Sequence, residues 1–120
     1  MNIKHLALAS VLLMLTACAS STVGPGAGVA EAPVKGSVSN LNMRAQNVFQ
    51  QMNIQSTGSS SANAGNEQQL TGRLGDSDIT VRIDRQDANT SNVKVQASKN
   101  FVSGQQDVAK EILDKIVQQS

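Results

Sequence analysis

Asp78-Ile79-Thr80-Val81-Arg82-Ile83-Asp84-Arg85 alternates apolar and polar residues with the two-residue period of a β-strand. Ile79, Val81 and Ile83 share one face; Thr80, Arg82 and Asp84 share the other. Strands buried on both faces read as continuous apolar runs, so this alternation marks an antiparallel strand with one dry side and one wet side. The neighbouring segments repeat it. Gln68 to Leu74 puts Leu70, Gly72 and Leu74 on one side, and Gly75-Asp76-Ser77 supplies a tight turn. Beyond a second turn at 86–91, Asn92 to Ser98 sets Val93, Val95 and Ala97 against Lys94 and Gln96. A strand meander is therefore the expected centre of the fold.

Two helical patterns flank it. Leu41, Ala45, Val48, Phe49 and Met52 form one apolar stripe, with Ser39 or Asn40 as the expected N-cap and Asn53 as the stop. Met43 falls off the stripe and is expected at the surface. Near the C-terminus, Val108, Ala109, Ile112, Leu113, Ile116 and Val117 make a broad apolar face. Ser103 and Gln106 have capping-box spacing, and Glu111 with Lys115 is an i, i+4 pair. Val34 to Val38 is expected as a short edge strand and Ile54 to Thr57 as another, with Gly58 to Asn66 a polar loop. Phe101 and Val102 are expected to close the core. The expectation is an α+β domain over residues 34–120: a small antiparallel sheet of three to four strands with two helices packed on one face.

The N-terminus carries an address. Met1 to Lys4 is a short basic start, Leu6 to Ala17 is apolar, and Leu15-Thr16-Ala17-Cys18 reads as the lipobox of a bacterial lipoprotein signal peptide. The apolar run of twelve residues makes roughly 18 Å of helix, short of the about 30 Å of a bilayer core. Cleavage between Ala17 and Cys18 removes residues 1–17 and leaves the chain's single cysteine first, where a lipobox implies a diacylglycerol thioether and an acylated amino group. Residues 18–33, rich in Ser, Gly, Ala and Pro, are expected as the lipidated cysteine and a flexible tether. Gly24-Pro25-Gly26-Ala27-Gly28 lacks the strand, helix and Lys-Ser/Thr ending of a phosphate loop.

Composition narrows the function classes. Loss of Lys4 takes ten basic residues to nine, against nine acidic ones, so the mature chain has no basic excess for nucleic acid. The one His leaves with the signal peptide, and there is no Trp or Tyr. General acid–base catalysis at neutral pH usually draws on His, and zinc or copper sites on His and Cys. The expectation is a non-enzymatic protein without cofactor or metal. Asp76, Asp78, Asp84 and Asp87 lack the offsets and closing Glu of a calcium loop and read as turn and solubility residues. Arg73, Arg82, Arg85, Lys94 and Lys99 are expected on the exposed sheet face, paired across strands with Asp78 and Asp84.

Val48-Phe49-Gln50-Gln51-Met52-Asn53-Ile54, Leu70-Thr71-Gly72, Asp78 to Ile83, Asn89 to Val95 and Glu111 to Ile116 follow the lipobox and tether in a telling order. In that order the chain resembles a family of small bacterial envelope lipoproteins whose α+β domain has no assigned function. The chain keeps only Phe49 of that family's aromatic-rich first helix, and only Gly104 of its Gly-x-x-Gly-Asp turn. With Ala19 rather than Asp after the cysteine, the resemblance implies an outer-membrane protein held in the cell envelope by its lipid anchor. Its expected role is structural or interactive, with an envelope protein or peptidoglycan as partner. The alternative is a carrier or sensor of a small apolar ligand such as a fatty acyl chain. Its cavity would lie between sheet and C-terminal helix, lined by Phe49, Met52, Ile79, Val81, Val95, Phe101, Ile112 and Ile116.

Overall fold

The computed structural model describes residues 22–24, 28–99 and 103–119. It is an α+β fold: β1 (Thr22–Gly24), β2 (Val29–Lys35), α1 (Val38–Gln51), β3 (Gln55–Ala62), β4 (Glu67–Leu74), β5 (Ser77–Arg85), β6 (Thr90–Lys99), β7 (Ser103–Gly104) and α2 (Gln106–Gln118). One antiparallel sheet runs in the order β1-β2-β6-β5-β4-β3, and the two residues of β7 pair with the end of β6. Five long strands, β2 to β6, replace the three to four expected. The expected meander is β4-β5-β6, and the additions are to the short strands expected at 34–38 and 54–57, which extend back to Val29 as β2 and on to Ala62 as β3, through most of the loop expected at 58–66.

Both additions lacked a burial signal in the sequence. β2 faces the core with Ala30, Ala32 and Val34, which pair with Val95, Val93 and Ser91 in β6, and two alanines carry little apolar weight. Residues 29–33, expected in the tether, are therefore part of the sheet, and the segment 34–38 divides between β2 and α1. Pro33 is tolerated for a geometric reason. Gly28 O accepts from Ala97 N at 2.8 Å, so the even-numbered amides of β2 face β6. The missing N–H of Pro33 points outward, beyond the three residues that β1 covers. β3 has no buried side chain at all. Its ladder with β4 holds it, interrupted by a bulge between Ser56 and Gly58.

Register sets the two faces. Leu70 opposes Val81, Gly72 opposes Ile79, Val81 opposes Val95 and Ile83 opposes Val93, and all of these are buried. The hairpin between β4 and β5 turns on Gly75, whose φ of 61° suits the first position of a two-residue loop. Both helices cover this dry face, α1 over β4 and β5, α2 over β2 and β6. Val38, Leu41, Ala45, Val48 and Phe49 are the buried stripe of α1, and Ala109, Ile112, Leu113 and Ile116 that of α2. Met43 is 59% and Val117 47% exposed, so Val117 lies outside the buried face expected for it. Arg44 ties the helices by donating from Nη1 to Ile116 O at 3.5 Å.

The helix ends differ from expectation. Ser37, not Ser39 or Asn40, caps α1, its Oγ accepting from Asn40 N at 3.1 Å. Gly36, at φ 141°, turns the chain out of β2, and starting there adds Val38 to the buried stripe. Ser37→Ala is expected to cost about 1 kcal/mol, and Ser39→Ala close to nothing, in urea unfolding of the domain. Asn53, at φ 59°, ends α1 in the left-handed region that Asn tolerates. At α2, Ser103 is taken up in pairing with Lys99, so no capping box forms; Gln105 precedes the helix without a side-chain cap. Gln106 Nε2 instead donates to Val29 O, fastening α2 to β2. The i, i+4 ion pair on this helix is Lys110–Asp114 at 3.0 Å rather than Glu111–Lys115.

Candidate functional site

Seven of the eight residues proposed for an apolar cavity lie in or against one hydrophobic cluster. Ile79, Val81, Val95, Ile112 and Ile116 lie at or below 1% exposure within one packed core. Met52 is half-buried against that core. Phe49, 3% exposed, belongs to the same core and also borders a groove beside β3. Phe101, Ala17 and Cys18 lie outside the described residues.

What sequence reasoning missed lies at the β3 edge. The sheet extends one strand farther than the helices cover, because α1 sits over β4 and β5 and only touches β3. Register with Gly72, Leu70 and Gln68 directs Ser56, Ser59 and Ser61 to the helix-bearing side of the sheet. These small side chains leave an open groove of about 460 Å³, bounded by Gln46, Phe49, Gln50, Ile54, Ser56, Ser59 and Leu70. Gly72 shapes its wall: a Cβ there would come within 2.8 Å of both Phe49 Cε2 and Ile54 Cγ2. Without one, the Phe49 ring settles against the sheet.

β3 is also a free edge among the described strands, paired only with β4. Protein sheets usually blunt such an edge with lysine, proline, inward-pointing charge or a bulge. Gln55-Ser56-Thr57-Gly58-Ser59-Ser60-Ser61-Ala62 has none of the first three, and beyond its one bulge, between Ser56 and Gly58, Gly58 to Ala62 pair regularly with β4. Its backbone groups on the open side are available to another strand at the ordinary spacing of about 4.8 Å. The available signal was length: nine uncharged residues, 54–62, stand between the left-handed Asn53 and the left-handed Asn63-Ala64-Gly65 turn.

The wet face of the sheet offers less. Arg73 pairs with Asp78 at 2.7 Å, and Arg82 lies 3.6 Å from Glu67 and 3.5 Å from Asp84. Lys94 stands in register between Arg82 and Glu31. Lys94 thus meets an opposite charge on one side and a like charge on the other, and the exposed ion pairs of this face contribute about 0–1 kcal/mol each. Arg85 and Lys99 depart from the expected face: they oppose Ser91 and Ser77, in step with the buried residues, at the strand ends. The depression among Gln69, Thr80, Arg82, Lys94 and Gln96 holds only about 110 Å³, well under the ~300 Å³ at which ligand pockets begin.

The four aspartates are dispersed along the fold. Asp76 sits in the β4–β5 turn, Asp78 and Asp84 are ion-paired toward opposite ends of β5, and Asp87 Oδ1 accepts from Asn89 N at 2.9 Å in the next turn. Among the described residues, no group of three or more His, Cys, Asp or Glu is placed to hold a metal ion. A scan against protein-family models and a search of curated proteins both return no match for this chain.

Proposed function

We propose that this is a non-catalytic outer-membrane lipoprotein, anchored through Cys18, that engages another envelope component by accepting an extended segment along β3. The observation that carries the reading is the coincidence of an uncharged open strand edge with an apolar-floored groove beside it. In strand addition, main-chain hydrogen bonds supply affinity and pockets for alternate side chains supply specificity. A segment laid beside β3 directs every second side chain toward Phe49, Ile54 and Leu70. At about 460 Å³, the groove lies within the ~300–1,000 Å³ range of sites that bury a ligand. The packed contact of Ile79, Val81 and Val95 with Ile112 and Ile116 favours this reading over a carrier with a cavity beneath α2.

Photo-crosslinking from position 60 in intact cells, followed by mass spectrometry, tests it. Discrete adducts are expected. Thr57→Lys with Ser59→Lys places charge on the edge without touching the core. That pair is expected to reduce the adducts about tenfold, the equivalent of roughly 1.4 kcal/mol of binding, with the unfolding midpoint unchanged. Undiminished adducts in a folded double variant contradict it.

A further inference from the structure

We infer that the sheet edge formed by β1 and β2, together with the adjoining flank of α2, is the face the domain lays against the bilayer, with β3 at the far side. The inference rests on the lipid anchor proposed above and on the length of chain that follows it. β1 begins at Thr22, four residues after Cys18. Fully extended, four residues reach at most about 14 Å. The acylated sulfur sits where the hydrocarbon begins, beneath roughly 5–8 Å of headgroups. Thr22 therefore cannot stand more than about 10 Å above the membrane surface, whatever path the intervening chain takes. A tether reaching to Pro33 would have set no such limit.

The fold then decides which face lies near. β1 pairs with β2 through Thr22–Glu31, Val23–Ala30 and Gly24–Val29. Gln106 Nε2 donates to Val29 O, so the helix row through Gln106 overlies this edge. Lys110, Leu113 and Val117 continue that row at helical spacing. Arg44 and Asn47 of α1 meet the opposite flank, at Ile116 and Gln119. Leu113 is buried within this row, which exposes Lys110, ion-paired with Asp114 at 3.0 Å, and, at Val117, one of the two large apolar side chains exposed among the described residues. That is a modest but fitting surface for headgroups. β3 lies five strand spacings from β1, about 24 Å away, and its open edge is turned toward partners.

The test uses the full lipidated chain. Acylation consumes its single cysteine, so a new thiol is unique. Val117→Cys and Ser60→Cys, each carrying a fluorophore, are reconstituted into phosphatidylcholine vesicles containing headgroup-nitroxide lipid. The label at 117 is expected to be quenched about threefold more than that at 60, since the two differ by roughly 20 Å in height. Twenty Gly/Ser residues inserted after Ser20 add about 25 Å of reach and are expected to abolish the difference. Equal quenching at the two positions, in protein whose intact mass shows the acyl chains, overturns this inference and leaves the anchor standing. A mass without acyl chains overturns the anchor and this inference together.

Discussion

Gly28→Val is expected to unfold the domain. Gly28 is buried at φ +67°, where the chain enters β2. A Cβ built on it would lie 2.1 Å from Ala97 O, 2.7 Å from Gln105 N and 2.9 Å from Gly104 Cα. All three are backbone atoms, and two belong to the bonds that join β6 to the start of α2: Gln105 N donates to Ala97 O, while Ala97 N donates to Gly28 O, each at 2.8 Å. None can retreat without breaking a ladder. A side chain held at positive φ costs about 1–3 kcal/mol, and forced overpacking adds about 1–3 more. A β-branched residue stands at the upper end of both. Against the about 5–15 kcal/mol of a small domain, a loss of 4–5 kcal/mol or so is close to complete.

Gly65→Ala separates the two costs. Gly65 also has positive φ, at +87°, but a Cβ there meets nothing within 4 Å. Its expected cost is only the backbone part, about 1 kcal/mol. Circular dichroism with urea titration reads both variants. If Gly28→Val unfolds at the parent's midpoint, residue 28 belongs to a tether and the assignment of β2 is wrong.

Cys18→Ser is expected to abolish palmitate incorporation and to remove the protein from the detergent-extracted outer-membrane fraction. Each buried CH₂ contributes about 0.8 kcal/mol; one myristoyl chain gives marginal, reversible binding, and two give stable attachment. The three chains that a lipobox implies make attachment effectively permanent, so their loss changes partitioning by many orders of magnitude. The domain itself is expected to keep its unfolding midpoint, because Cys18 precedes the first strand. Fractionation shows the first effect and urea unfolding the second.

The readable part of the fold was the part whose residues carry apolar weight. Ile79, Val81, Ile83, Val93 and Val95 announce their strands because branched side chains recur at period two and all are buried. Ile112, Leu113 and Ile116 announce α2 in the same way. β2 was hidden because its inward positions include Ala30 and Ala32, and because Pro33 argues against a strand unless its amide position faces an edge. β3 was legible only at its start, in the strand expected over Ile54 to Thr57. No side chain of Gln55 to Ala62 is buried, so periodicity had nothing to record, and only pairing with β4 makes it a strand. The groove followed β3 out of sight: Phe49 lies in the core, as its place on the α1 stripe predicts, and its exposed neighbours Ser56 and Ser59 come near it only once the edge strand is in place.

The cavity beneath α2 was inferred from side-chain type alone. Aliphatic residues on a sheet and a facing helix are equally compatible with a pocket and with contact, and burial of Ile79, Val81, Val95, Ile112 and Ile116 at or below 1% exposure brings them together as contact. Leu70 and Ile54 are buried as well, but they border the small side chains of Ser56 and Ser59, and a groove opens beside them.

The intact mass of the mature protein, extracted from membranes in detergent, bears most directly on all of this. The account predicts a polypeptide that begins at Cys18 and carries the mass of a diacylglyceryl group and an amide-linked acyl chain. A chain that begins elsewhere, or at Cys18 with a free thiol and no added lipid, contradicts it.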